Sequence, residues 1–483
     1  MAHHQVAVED EQYVFRPETK TKLFILLAVG IVLLALGLLF GGSGSQEEHG
    51  GGHHAAVEST KLVASAQHGE AASEAPKKEE HAAEGAHAEG EHHDGAAAEH
   101  HAAGGHHEGS PVWLKRLYTT LWQNNLFFAG MGIIGLFFVA IQYAAQAGWS
   151  AGILRVPLAM GSWIPVAGII MIILWFVSGH DLFHWTHASL FDKNSPDFDP
   201  IINKKAPFFY WPLAGGTFPL FFIVRMVLFF GGWYWFFTVI RKRMLDEDID
   251  PSTSYWFKNR VTSAWFLIFF AVSSSICAWD WAMSIDTHWF STMFGWYMFA
   301  SWWVTSLAVI VLIVVNLKKA GYLKVVNANH LHDLGKFVFA FSIFWTYVWF
   351  GQFLLIYYAN IPEESIYFVE RMRITAPYNW IFYLNIILNF VLPFLLFMTR
   401  DSKRHMSMLN FVCPIVIVGH WFDFYNIVTP GVMKFDGGVG FMEIGVALIF
   451  AACYLLVVLS SLAKVPLVGK NHPMLQESLH HHI

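Results

Sequence analysis

Several ionisable residues lie inside stretches of this sequence that are otherwise apolar enough to cross a bilayer. Asp280 lies in one such stretch, and His420 and Asp423 lie three residues apart in another. A charged residue at the centre of a membrane helix costs about 2.5–3.5 kcal/mol on insertion scales, so each one needs a partner or a function. Buried carboxylates and imidazoles can relay protons. Our candidates for a proton path are Asp280, His420, Asp423, Arg225, Tyr347 and Glu443.

The same polar residues also have a structural interpretation. Ser, Asn, Gln and His side chains often bridge packed membrane helices, and Asn385 and Asn389, four residues apart, fit that interpretation better than a chemical one. Arg225 lies near the middle of its apolar stretch, so it requires a counter-ion that the sequence does not identify. For Asp280 and for His420 with Asp423, both interpretations stay open.

A second group of titratable residues lies where another apolar stretch ends. His180, His184 and His187 are spaced i, i+4, i+7, which on a continuous helix would put them on one face. Such a group could pass protons or deprotonate a quinol, which releases two protons on oxidation. The alternative is that histidines at the end of a helix simply face water.

The sequence predicts no redox centre of its own. Its three cysteines all fall in apolar stretches and cannot form a CxxC metal site or an iron–sulfur ligand set; they are Cys277, Cys413 and Cys453. A membrane b-type cytochrome needs paired intramembrane histidines, whereas His420 is the one histidine well inside a span. We therefore expect this chain to bind no metal or cofactor, and any iron–sulfur or haem centre to belong to a partner chain.

Ten apolar stretches must position these residues. A bilayer core is about 30 Å thick and needs roughly 20 apolar residues per helix, and the chain is 55% hydrophobic with 14% charged residues. Only helices and closed barrels span membranes, and runs this long exclude barrel strands. The predicted fold class is an all-α polytopic membrane protein with spans at 23–41, 125–146, 153–178, 213–240, 260–284, 290–317, 334–358, 376–399, 405–429 and 440–463.

The spans divide the chain into five parts. We predict a polar N-terminal tail at 1–22, a retained anchor helix at 23–41, a linker at 42–112, a nine-helix region at 113–465 and a C-terminal tail at 466–483. The linker is rich in His, Glu, Ala and Gly and cannot bury enough apolar surface to fold, so we expect it to be disordered. Its histidines could bind metal or buffer protons, but their irregular spacing favours a solvated tether.

Charge distribution predicts the orientation. Ten spans put both termini on one side of the membrane, and assigning that side to the cytoplasm puts 18 of the 30 Lys and Arg residues there. The linker and the loops at 179–212, 285–289, 359–375 and 430–439 then face the periplasm. We expect a multi-pass protein of a bacterial inner membrane.

Two sequence strings carry a family resemblance. Residues 279–292 read WDWAMSIDTHWFST, and residues 352–364 read QFLLIYYANIPEE. With ten spans, these strings resemble the NrfD/polysulfide-reductase membrane-anchor family, and within it the F subunits (quinone-binding subunit 2) of bacterial alternative complex III, a quinol:cytochrome c oxidoreductase. The resemblance covers about 113–465.

The resemblance implies a fold, partners and a role. It implies two four-helix bundles, spans 2–5 and 6–9, flanked by spans 1 and 10. It implies docking with an iron–sulfur subunit, multihaem cytochrome c subunits and a paralogous NrfD-like C subunit, with a terminal oxidase as a further candidate, and no nucleic acid. In the family, quinol such as menaquinol is oxidised at a site that is associated with the C subunit and uses a His and an acid near the outer end of the first bundle.

This chain departs from that quinol site. It offers His180, Asp181 and His184 as a candidate quinol site, but its fourth span has no acid in the outer half. We therefore favour a proton path or a structural role over quinol oxidation at this subunit.

Two other classes remain as alternatives. A stand-alone proton-coupled transporter could use Arg225, Asp280 and His420, and a weak echo between residues 279–281 and 421–424 hints at an internal repeat. A passive assembly scaffold would need none of these side chains for activity. A transporter should purify alone, whereas a respiratory subunit should purify with haem and iron–sulfur proteins.

Overall fold

A computed structural model describes residues 11–41 and 110–482, without the side chain of Glu363. The chain forms one unit from Met1–Leu38 and Ser110–Ile483 and a second from Leu39–Gly109. Of the second unit the structure describes only residues 39–41, so the predicted disordered linker and its histidines lie outside the described residues almost entirely.

The described residues fold into helices joined by short loops. The α-helices are α1 (Pro17–Gly41), α2 (Val112–Ala145), α3 (Arg155–Met160), α4 (Ile164–Leu182), α5 (Pro200–Tyr210), α6 (Leu220–Ile249), α7 (Ser254–Trp281), α8 (Phe294–Lys319), α9 (Ala328–Ala359), α10 (Pro362–Met372), α11 (Asn379–Ile386), α12 (Leu392–Leu396), α13 (Met406–Met433), α14 (Phe441–Leu462) and α15 (Leu475–Leu479). Ten helical segments of the described residues are long and apolar enough to cross a membrane, with α3–α4 and α11–α12 each forming one. The prediction of an all-α polytopic membrane protein is confirmed.

The spans form the two four-helix bundles that the resemblance implied. In the first bundle α2 packs on α4 and α7, and α6 closes the ring. In the second, α8 packs on α9 and α13, and α11–α12 closes the ring. Helices α2, α8 and α13 form the contact between the bundles, and α14 packs on α2 from outside.

Helix α1 is the peripheral span and touches α14 through glycines. A Cβ atom at Gly37 would lie 2.5 Å from the Met442 nitrogen, and one at Gly445 would lie 2.5 Å from the Leu34 nitrogen. Glycine has only a hydrogen atom in place of a side chain, so the two helix backbones can approach this closely. Both predicted flanking spans, 1 and 10, are therefore in contact.

The protein has two ends, which we name by what lies there. The tail end holds residues 11–16 and 463–481, tied together where the Leu467 nitrogen donates to the Glu11 carbonyl at 2.8 Å. The far end holds the start of α2 and the ends of α4, α7, α9 and α13. Two short helices that the sequence analysis treated as loops, α5 and α10, lie at the far end, one after the second span of each bundle.

Helix boundaries differ from the prediction most at the second span. The prediction began it at residue 125, but α2 begins at Val112. Its first four turns carry polar residues such as Thr119 and Asn124 that are buried inside the protein, so hydropathy alone did not mark them as helix. Asn124 accepts a hydrogen bond from the Trp421 indole at 2.9 Å, which fixes α2 against the second bundle.

Candidate functional site

Asp280 and Arg225 form a buried ion pair between α6 and α7. The Arg225 Nε and Nη2 atoms donate to the two carboxylate oxygens of Asp280, each at 2.7 Å. Asp280 is fully buried, and the guanidinium lies between the rings of Phe208 and Phe221, 4.4 and 4.3 Å from their centroids. The missing counter-ion of Arg225 is therefore Asp280, 55 residues further along the chain.

This pairing leaves little capacity for proton transfer at Asp280. Both carboxylate oxygens accept from one arginine, a two-point contact that fixes the geometry as well as neutralising the charge. The arrangement matches the structural interpretation, in which Asp280 and Arg225 hold α6 and α7 together.

Asp423 has a different environment in the middle of the second bundle. Its Oδ2 atom accepts from the Ser301 hydroxyl at 2.6 Å and from the Trp345 indole at 3.0 Å. Its Oδ1 atom accepts from the Asn385 amide at 2.7 Å and from the Tyr297 hydroxyl. Donors on three helices, α8, α9 and α11, thus converge on one fully buried carboxylate of α13, and all four donors are uncharged.

His420 lies one turn before Asp423 on α13 and is also fully buried. Its Nδ1 atom is 3.8 Å from the Asp423 Oδ2 atom, too long for a hydrogen bond. Within the described residues neither ring nitrogen of His420 has a hydrogen-bond partner. The ring packs edge-on against Trp345, with the two ring centroids 5.4 Å apart. A carboxylate and an imidazole this close can exchange a proton after a small movement or through one bridging group.

The two carboxylates occupy equivalent helices of the two bundles at different depths. Helices α7 and α13 are each the last span of a bundle. Asp280 is one residue from the end of α7, whereas Asp423 is ten residues, or about 15 Å, from the end of α13. The candidates predicted for one proton path therefore separate into two clusters, and only His420 and Asp423 are brought together without a cation.

Neither a protein-family model nor a curated protein matches this chain. The assignment of a function therefore depends on the chemistry of these clusters and of the surface they lead to.

A pocket of about 510 Å³ opens at the far end between the two bundles. Trp289 and Tyr367 stack on each other as one wall, with ring centroids 4.3 Å apart. The other polar residues that line it are His184, Asp286, Thr287, His288, Glu370 and Lys434. The pocket thus combines an aromatic wall with imidazole, carboxylate and ammonium groups.

Arg371 on α10 connects this pocket to the Asp423 cluster. Its guanidinium donates to the Asp286 carboxylate at 2.8 Å and to the Asn426 carbonyl at 2.9 Å. It also stacks on Tyr367, with the guanidinium carbon 3.5 Å from the ring centroid. Asn426 lies on α13 three residues after Asp423, about 4.5 Å along the helix. Polar groups therefore extend from the buried carboxylate to the pocket.

Burial and charge tune the pocket residues that lie outside the spans. Burial, with repulsion from His187 and His288, lowers the pKa of His184, which keeps its ring neutral at physiological pH. Burial also raises the pKa of the Tyr367 hydroxyl to about 12, so it stays protonated. Both groups are therefore uncharged hydrogen-bonding side chains.

The predicted quinol-site residues are only partly brought together. Helix α4 ends at Leu182, so His184 lies in a 3₁₀ turn and the expected helical face of three histidines does not form. His180 stacks on His187 at 4.1 Å, and Asp181 accepts from the Ser110 hydroxyl at 2.9 Å. His184 alone of the three candidates lines the pocket.

The two remaining candidates lie away from both clusters. Glu443 binds Arg116 through two contacts of 2.6 and 2.8 Å and caps α14 by accepting from the Gly440 nitrogen at 2.7 Å. Tyr347 is 68% exposed on the outer surface of α9, where lipid would lie. Neither residue contacts Asp423.

Sequence reasoning missed Tyr297 and Arg371 as parts of the site. Tyr297 lies in an aromatic-rich span and gave no distinguishing pattern, whereas Arg371 lies in a predicted loop. A usable signal existed in Asn385 and Asn389, because two amides four apart in a membrane span must find partners. Asn389 donates to Asn385, which in turn donates to Asp423.

Proposed function

We propose that this chain is a cofactor-free membrane subunit of a respiratory quinol:cytochrome c oxidoreductase and that its second bundle carries protons through Asp423 and His420. The observation that carries the proposal is the buried Asp423 carboxylate, which has four uncharged donors and no cation beside it among the described residues. Intramembrane acids are costly, and a purely structural bundle would be served by apolar packing at this depth.

A route toward the far end supports the proton role. From Asp423 it would pass Asn426 and the Arg371–Asp286 pair and reach the pocket. Toward the tail end, the second bundle contains buried hydroxyl groups of Thr305, Ser306 and Ser342, which can orient water or pass a proton.

Quinol binding is the finer part of the proposal. The far-end pocket offers a stacked aromatic wall and neutral imidazole and phenol groups, which are suited to a quinol ring and its two hydroxyls. Protons released there would lie at one end of the Asp423 route. In this proposal His184 takes part, whereas His180 and Asp181 do not.

The same proposal assigns partners and location. An iron–sulfur subunit, multihaem cytochrome c subunits and a paralogous C subunit would supply the redox centres, with a terminal oxidase as a further partner. The far end would face the periplasm and both tails the cytoplasm of a bacterial inner membrane.

A proton-coupled transporter is the alternative. The equivalent order of helices in the two bundles, each with a short helix after its second span, is the repeat that favours it. A transporter built from two repeats usually has broken helices at corresponding positions of both repeats. Here the positions differ, because Gly161–Trp163 interrupts the second span of the first bundle and Ile387–Val391 interrupts the third span of the second bundle.

Purification from native membranes through a tag on the C-terminal tail separates the two functions. Our proposal predicts that haem absorbance and iron–sulfur signals elute with this chain in fixed ratio. Elution of the chain alone, at full recovery and still folded, would support the transporter.

A further inference from the structure

A second pocket, of about 420 Å³, lies at the tail end between α1, α8 and α14. Its floor is apolar and is formed by Leu312, Ile313, Leu317, Leu455 and Leu459. Its mouth is polar and is formed by Tyr13, Arg16, Thr19, Asn316 and Tyr322. None of these residues belongs to the proton route or to the far-end pocket.

The mouth of this pocket is held in place by the segment before α1. The Glu11 carboxylate accepts from the Leu323 nitrogen at 2.6 Å, and the Val14 nitrogen donates to the Tyr322 hydroxyl at 3.4 Å. Tyr13 packs edge-on against Tyr322 with centroids 5.7 Å apart. These contacts join the segment before α1 to the residues after α8, which form the two sides of the mouth.

Helix α1 forms a wall of the pocket without closing it. It touches α14 closely at Gly30 and Gly37, toward the middle and far end of the helix. At the tail end its first turn lies across the pocket from Leu455 and Leu459 of α14. The opening therefore lies at the depth where the apolar span gives way to the polar tail, which is the level of lipid headgroups.

Positive charge is concentrated around this mouth. Arg16 directly precedes α1, Lys20 and Lys22 lie in its first two turns, and Lys318 and Lys319 lie in the last turn of α8. The acids nearby are Glu18, which also lines the pocket, and Glu11, whose carboxylate is already bound to backbone amides. Clustered Lys and Arg beside a membrane span attract anionic lipids.

We propose that this pocket binds one anionic phospholipid. An acyl chain would lie on the leucine and isoleucine floor, and the phosphate would be held by Arg16 with hydroxyl and amide groups of Thr19, Tyr13 and Asn316. The lipid would join the peripheral α1 to α8 and α14, so it would stabilise the attachment of that helix. This site is independent of the proposed respiratory function.

Native mass spectrometry of the purified full-length chain tests the site. After exchange into detergent with equal phosphatidylglycerol and phosphatidylcholine, we expect one phosphatidylglycerol molecule to stay bound at collision energies that remove the others. Leu459→Trp, which fills the floor, should lower that retention by about tenfold. Arg16→Gln with Lys20→Gln should leave binding but abolish the preference for the anionic headgroup.

Matched variants at other surfaces serve as controls. Leu395→Trp adds the same ring at an exposed position of α12, and Lys258→Gln with Arg260→Gln removes two charges at the tail end of α7. Both should behave as the natural chain. Equal retention of the two lipids by the natural chain, unchanged retention in Leu459→Trp, or displacement of the lipid by inorganic phosphate alone would each overturn the proposal.

Discussion

Arg225 and Asp280 are joined by two hydrogen bonds of 2.7 Å across α6 and α7, inside the first bundle. Asp423, on the equivalent helix of the second bundle, has no such cation and is surrounded by neutral donors. Two buried acids on equivalent helices therefore have different partners. The first is joined to a cation on the neighbouring helix, and the second is the acid that we propose carries protons.

Removing one partner of the first pair should be more harmful than removing both. Asp280→Asn leaves the Arg225 guanidinium buried without its counter-charge, a change that typically costs about 3–5 kcal/mol. Replacing both residues, as Arg225→Met with Asp280→Leu, should recover much of that loss. Thermal unfolding of the purified chain in detergent measures both variants. Equal stability of Asp280→Asn and the natural chain would show that the pair is not structural.

Glu443 should act through two separable contacts. Its carboxylate binds Arg116 and also accepts from the Gly440 nitrogen at the start of α14. Gln can keep the cap but not the ion pair, whereas Ala loses both. We expect thermal stability to fall slightly in Glu443→Gln and more in Glu443→Ala. If the two variants are equally affected, the cap contributes nothing.

Arg371 should fix α10 over the second bundle. Lys at this position keeps the charge but cannot reach Asp286, Asn426 and the Tyr367 carbonyl together, because it lacks the planar fork. Hydrogen exchange of α10 amides should rise by about tenfold in Arg371→Lys. The control is Arg373→Lys, which changes an exposed arginine in the same way. If the α10 amides exchange equally fast in Arg373→Lys, the increase does not come from the contacts of Arg371.

Stability should decrease in acid because of His472 in the C-terminal tail. Burial, with repulsion from Arg155, lowers its pKa to about 4 from 6.5. Between pH 4 and pH 6.5 the unfolded chain binds a proton at His472 that the folded chain excludes. The contribution of His472 to the free energy of unfolding is therefore fully present above about pH 6.5. It falls by up to about 3 kcal/mol as the pH drops toward 4. His472→Gln should flatten this dependence in denaturation measured from pH 4 to 7. An unchanged pH slope would rule out His472 as its source.

The positions of the membrane spans could be predicted from the sequence, but the contacts between side chains of different spans could not. Hydropathy predicted all ten helices, yet it began α2 thirteen residues late because Thr119 and Asn124 are polar and buried. The partner of Arg225 could not be predicted, since contacts between spans depend on how helices pack rather than on their spacing along the chain. The His180–His184–His187 stripe was wrong as a helical face because α4 ends at Leu182.

The depth of the acids was predictable, whereas their separation was not. In the predicted spans 260–284 and 405–429, Asp280 is four residues and Asp423 is six residues from the end, and in the structure Asp423 is again the deeper of the two. Only the family resemblance placed Asp280 and Asp423 in different bundles. Because they lie in different bundles, the single proton path predicted from the sequence becomes two separate clusters. Asn385 was interpreted as a bridge between helices, and it is one, but its partner is the candidate proton carrier.

Proton movement by the complex reconstituted in vesicles tests the central claim most directly. The comparison is among the natural chain, Asp423→Asn and Tyr347→Phe, with acidification followed by a pH dye during quinol oxidation and electron transfer recorded in the same vesicles. We predict that Asp423→Asn lowers the protons moved per electron by about tenfold while assembly is preserved, and that Tyr347→Phe, at a lipid-facing position, changes nothing. An Asp423→Asn complex that moves as many protons per electron as the natural one would contradict the account.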